Sequence, residues 1–199
     1  MTGPQELTAL VEGYLDELAL TPELGELAGP IRYALAGGGK RIRPVLCLAT
    51  GEALGREPEE LLPAGAAIEL VHNFSLVHDD LPSLDDDELR RGRASTWAQF
   101  DEATAVLAGD ALLAEAFRLA LSYPTPFVGR ELVQATLGMI GGQRELVEVA
   151  LDQGGQLLWA RHPASFFARA SSTSTSFAIS ASSERISIAR SGSCVDSSS

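Results

Sequence analysis

Apolar residues recur at three-and-four spacing along most of the chain. In "ELTALVEGYLDELAL" the residues Leu7, Leu10, Val11, Tyr14, Leu15 and Leu18 form one stripe, which predicts an amphipathic helix. Thr21, Pro22 and Glu23 read as the cap and first turn of a second helix, with an interruption at Gly29–Pro30 and a restart reaching about Ala36. Gly37, Gly38 and Gly39 stop it, because three glycines cost too much backbone entropy inside a helix. Pro44 can occupy the first turn of a helix carrying Val45, Leu46, Leu48 and Leu54. Further helices are predicted over roughly Pro58 to His78, Trp97 to Leu121 and Phe127 to Leu151. No alternating strand pattern of useful length and no internal repeat is found. The pattern specifies an all-α helical bundle.

The periodicity fails near residue 151. From Arg161 the chain reads "RHPASFFARASSTSTSFAISASSERISIARSGSCVDSSS", where serine and threonine dominate and neither a 3.6 nor a 2.0 period holds. Such composition buries too little surface to offset its ordering entropy, so the expectation is a helical domain over 1–150 and a disordered Ser-rich tail over 151–199.

Bulk properties narrow the function. At 199 residues the chain is long enough for one real core, and its net charge of -12 argues against a nucleic-acid partner. Cys47 lies in an apolar run and Cys194 in the tail, which implies no disulfide framework. The N-terminus lacks a basic then apolar leader, and no stretch approaches the ~20 apolar residues of a membrane span. A cytoplasmic protein with no membrane span is expected.

Candidate chemistry concentrates in "SLVHDDLPSLDDDELRRGR", Ser75 to Arg93, where a packed apolar turn runs into carboxylates and then arginines. By charge alone this is a solvated loop with weak ion pairs. Its coupling to an upstream helix changes that. His72 and Asp79 are seven apart, on one helical face and roughly 10 Å apart along the axis. Pro82 must end or bend the helix, which lets Asp85 fold back toward Asp79. Carboxylates converging at a helix C-terminus raise each other's pKa and oppose the helix dipole. A hard divalent cation such as Mg²⁺, shared with substrate phosphates, resolves that conflict. Arg90, Arg91 and Arg93 add planar forks suited to phosphate oxygens.

A second cationic cluster, "GGGKRIRP", brings backbone close to a ligand and supplies Lys40, Arg41 and Arg43. It does not fit the P-loop pattern. Two cationic clusters around one carboxylate cluster suit a pair of substrates bearing diphosphates. Taken with "ELVHNFSLVHDDLPSLDDDELRRGR" and "ATAVLAGDALLAEAF", this cluster resembles the trans-isoprenyl diphosphate synthases of the polyprenyl synthetase family, over about Tyr33 to Gln143. The resemblance implies an isoprenoid-synthase-type bundle around a central cavity. It implies head-to-tail joining of isopentenyl diphosphate to an allylic diphosphate, giving farnesyl or geranylgeranyl diphosphate. It places Lys40, Arg43, His72 and Arg91 on the isopentenyl diphosphate and Asp79 and Asp85 on Mg²⁺. Arg90 falls to the allylic diphosphate, and Asp80, Asp86, Asp87 and Glu88 to supporting or solvent-facing roles. Phe74 and Ser75, just before the first aspartate, would help to set product length, with fifteen carbons expected. A homodimer is implied as well.

Departures from the family pattern define the alternatives. The second aspartate-rich motif and a downstream Lys-Thr pair do not follow "GMIGGQ", Leu146 stands where an aspartate is expected, and Trp97 stands where the family often has histidine. A truncated or frame-altered C-terminus is the expectation from these departures. A diphosphate-binding homologue or subunit with impaired turnover is therefore the second reading. A class I terpene cyclase is the third, although it would not need the "GGGKRIRP" pocket.

Overall fold

The computed structural model describes residues 2–152, and the fold described here is that of the compact unit Met1–Leu146. The serine-rich tail expected to be disordered lies outside the described residues. Helix α1 spans Pro4–Glu17 and buries Leu7, Val11 and Leu15, the predicted stripe. A short 3-10 segment, Pro22–Leu27, leads into α2, Ala28–Leu35. The break falls at Gly25, with φ 49° and ψ -122°, and not at Gly29–Pro30. Pro30 sits in the first turn of α2, where a backbone N–H has no intrahelical acceptor to lose.

Helices α3 (Ile42–Ala53) and α4 (Pro58–Asp79) follow, then strands β1 (Leu89–Arg90) and β2 (Arg93–Ala94). The strands pair antiparallel, Leu89 with Ala94 and Arg90 with Arg93. Two residues each are too few to show an alternation, so the sequence pattern carries no sign of this hairpin. The single helix expected over Trp97 to Leu121 is two, α5 (Thr96–Gln99) and α6 (Glu102–Ala120). Asp101 separates them as an N-cap, its carboxylate accepting the Thr104 N–H at 2.7 Å. Helix α7 runs Phe127–Asp152.

Helix α4 is the axis of the bundle, with α1, α3 and α6 packed around it. Its buried residues include Ala66, Ala67, Leu70, Val71, Phe74 and Val77, which lie on several faces. Burying a side chain such as Leu70 contributes about 1.5–3 kcal/mol. Small residues let α6 approach closely: Ala105, Ala108, Gly109, Ala111 and Ala116 are buried there. The His78 imidazole lies where a Cβ on Gly109 would sit, and its Nε2 is 3.1 Å from the Val106 carbonyl. The last turn of α4, which ends at Asp79, is thereby held against α6.

Candidate diphosphate and metal site

The chain turns back after α4. Asp80 caps the helix, the Asp85 N–H donates to the Asp79 carbonyl at 2.8 Å, and the Asp87 N–H donates to the Asp80 carbonyl at 3.1 Å. Asp86 takes φ 52° to make the turn. Asp79 and Asp85 are thus brought together around a helix C-terminus. Burial and then the Asp85 charge push the Asp79 carboxyl up to about 6, with Arg90 opposing. Partial desolvation and then Asp87 raise the Asp85 carboxyl. Lost solvent and neighbouring like charge together disfavour the ionised carboxylates there.

Asp80, expected in a supporting or solvent-facing role, pairs with Arg90. Asp80 is buried, and the Arg90 Nε donates to its two carboxylate oxygens at 2.6 and 2.8 Å, with Nη2 completing the ion pair. The pair joins the helix end to strand β1. Arg90 thus carries a protein carboxylate on one edge of its guanidinium. Among the described residues no group of three His, Cys, Asp or Glu side chains is placed to hold a metal ion by itself.

The cationic side is built from two loops. Lys40, Arg43 and Arg91 are exposed, whereas Arg41 is 4% exposed. Arg41 donates to Glu12 at 2.8 and 3.2 Å, to Glu69 at 2.7 Å and to the Leu35 carbonyl at 3.0 Å. The four-residue basic run therefore has two functions: Arg41 anchors the loop to α1 and α4, and its neighbours face outward. Arg91, at the hairpin tip with φ 53°, lies against Gly39, where an added Cβ would be 2.7 Å from Nη1. Glycine is favoured there by a backbone φ of 156°, which other residues rarely adopt.

His72 lies half-buried on α4 within electrostatic reach of both loops. Burial, then Arg43 and Arg91, then Arg90 and Arg41 lower its pKa to about 4, so the ring is neutral at pH 7. The carboxylate end and the cationic end are thus linked along one helical face, His72–Ser75–Asp79. Ser75 is half-buried and its hydroxyl donates to the His72 carbonyl at 2.9 Å. Phe74 is buried in the core with its ring edge-on to His78, centroids 4.8 Å apart. Sequence reasoning did not single out Tyr33, Glu69 or Asn73. The Asn73 side chain donates to the Glu69 carbonyl at 2.8 Å, and Tyr33 donates to the Ala94 carbonyl at 2.8 Å. Only their tertiary partners distinguish these residues from ordinary helix positions.

The helical bundle thus carries an aspartate-rich α4 C-terminus and a basic run on either side of His72. The polyprenyl synthetase family model matches residues 25–178, and the chain belongs to that family. The match extends past both ends of Tyr33 to Gln143 and into the serine-rich stretch. The chain is 47% identical over 121 residues to a farnesyl diphosphate synthase of Bacillus subtilis, covering 56% of this chain and 41% of that relative. It is 44% identical over 122 residues to a geranylgeranyl diphosphate synthase of Cyanophora paradoxa, covering 57% and 41%. Among solved structures, an isoprenoid synthase family member from Thermotoga neapolitana superposes with a TM-score of 0.68 at 35% identity, covering 72% of this chain and 56% of that one. The chain spans about two fifths of the length of these curated relatives. Among the described residues no helix is long and apolar enough to cross a membrane.

Proposed function

We propose that this chain carries the diphosphate- and metal-binding half of a prenyltransferase that joins isopentenyl diphosphate to an allylic diphosphate. The observation that carries the proposal is the shared face of α4, with a carboxylate pair at one end and a half-buried histidine ringed by arginines at the other. Farnesyl and geranylgeranyl diphosphate synthases among the relatives support this substrate class. Lys40, Arg43, Arg91 and neutral His72 bind and orient the isopentenyl diphosphate. Asp79 and Asp85 suit a Mg²⁺ ion held jointly with the allylic diphosphate: the Asp85 charge adds to burial in raising the Asp79 pKa, and two carboxylates plus phosphate oxygens make a typical Mg²⁺ set. When bound, that ion stabilises the negative charge that develops on the departing diphosphate. Arg90, steadied by Asp80, adds a fixed positive charge on the same side. The allylic C–O bond breaks with its electron pair leaving on the diphosphate, the isopentenyl double bond attacks the allylic carbon, and the proton then shed from the isopentenyl unit passes to the released diphosphate.

Phe74 and Ser75 belong to the proposal as residues setting product length, with a fifteen-carbon product. A cytoplasmic homodimer is the proposed working form. A diphosphate-binding homologue or subunit with impaired turnover is the alternative reading. The test is to incubate the purified chain with Mg²⁺, isopentenyl diphosphate and geranyl diphosphate, and to measure both binding and product. Binding that Arg43→Ala and Arg91→Ala each weaken at least tenfold supports the reading. Tight binding of a single allylic diphosphate, with no isopentenyl diphosphate site, would favour a cyclase instead.

A further inference from the structure

We propose that Tyr33 is a positioning residue for Arg91, acting through the β1–β2 hairpin. This rests on Arg91 being a diphosphate ligand. The hairpin has two residue pairs, too few to hold its shape alone. Beneath it lies a cavity of about 40 Å³, lined in part by Tyr33, Asn73, Asp80 and Ser95. The Ser95 hydroxyl there is buried and has no protein partner. Close packing under the hairpin therefore does not set where its tip lies. Contacts at its rim do.

Strand β1 is held by Arg90 on Asp80. Strand β2 is held from α2: the Tyr33 hydroxyl donates to the Ala94 carbonyl at 2.8 Å, and the Arg93 guanidinium lies 4.3 Å above the Tyr33 ring centroid. Arg93 also donates to the Ala36 carbonyl at 2.8 Å, and Phe100 packs edge-on against Tyr33, centroids 5.4 Å apart. Arg91 lies between β1 and β2, and its guanidinium rests on Gly39, beside Lys40. An untethered tip would let the Arg91 guanidinium leave Gly39. Tyr33 opposes that displacement and keeps Arg91 in place before a diphosphate arrives, which reduces the ordering that binding must impose.

A double-mutant cycle on the full chain tests this, with isothermal titration calorimetry of inorganic pyrophosphate into wild type, Tyr33→Ala, Arg91→Ala and the double variant. Tyr33→Ala removes a hydrogen bond and a cation–π contact and is expected to weaken binding about tenfold. Tyr33→Phe, which keeps the ring under Arg93, should fall between it and wild type. In the Arg91→Ala background, Tyr33→Ala should change affinity by less than about twofold. Urea midpoints check folding, and Tyr33→Phe takes the place of Tyr33→Ala in the cycle if the latter does not fold. Wild-type affinity in Tyr33→Ala, or the same weakening in both backgrounds, overturns the positioning role and leaves the diphosphate reading intact. Failure of wild type to bind pyrophosphate, or indifference to Arg91→Ala, overturns the diphosphate reading and the positioning role with it.

Discussion

His72 should report the arrival of a diphosphate by gaining a proton. In the empty protein its pKa is about 4, below the ordinary 6.5, because the ring loses solvent and faces Arg43, Arg91 and further arginines. Its folded pKa lies below its unfolded one, so the neutral ring adds stability above about pH 6.5 that is lost as pH falls toward 4. An anion reverses the local field. One negative charge ~5 Å from the ring contributes about 3 kcal/mol at an effective dielectric constant of 20, roughly two pKa units. Solvent at the half-buried ring reduces this, and a rise of at least about one unit is expected. The assay is histidine-labelled NMR of the Cε1 signals from pH 3.5 to 8, with and without saturating inorganic pyrophosphate. The chain has three histidines, and His72→Gln assigns the signal. A midpoint near 6.5 without ligand would refute the arginine-ringed environment. An unmoved midpoint in the saturated complex would remove His72 from the diphosphate site.

Four further outcomes follow from the structure. Mg²⁺ alone should bind weakly and become tight with pyrophosphate; calorimetry showing strong binding to the bare chain, or an intact ternary complex in Asp85→Ala, would contradict the shared-ligand site. Because Asp79 titrates near 6 when folded against 3.8 unfolded, its charge in the empty site costs stability that grows as pH rises through that window. Mg²⁺ with pyrophosphate should accordingly raise Tm more at pH 7.5 than at pH 5, and an equal shift would count against it. Arg41→Met strands the buried Glu69 carboxylate and should destabilise by about 3–5 kcal/mol in urea unfolding, so a loss below ~1 kcal/mol would deny the anchor. Gly109→Ala puts a Cβ into the His78 ring and should cost about 1–3 kcal/mol on the same measure, whereas an unchanged midpoint would show that the α4–α6 contact can open freely.

Local rules made much of this protein legible. The stripe of α1, the stop at Gly37–Gly39 and the end of the helix before Pro82 depend on residues within a turn or two of each other. That is the range over which helical periodicity and backbone restriction act. The same local range also carried the motifs, because Lys40 to Arg43 and Asp79 to Arg91 are each contiguous. Local reading went astray where two cues compete at one position. Gly29–Pro30 looks like a breaker, yet within a first helical turn neither residue has a bond to lose.

Sequence by itself thus determined an all-α chain with one carboxylate cluster and two cationic clusters. It left alike in kind residues that the tertiary structure separates. Arg41 and Arg43 are two positions apart, and only one meets Glu12 and Glu69. Asp79 and Asp80 are adjacent, and it is the Asp80 carboxylate that accepts the Arg90 Nε hydrogen bonds. Tyr33 acquires its role from Ala94, 61 residues away. Which charge is neutralised inside the protein depends on partners that helix packing brings together across long sequence separations. Desolvation enforces the choice, because a buried charge must find a protein partner.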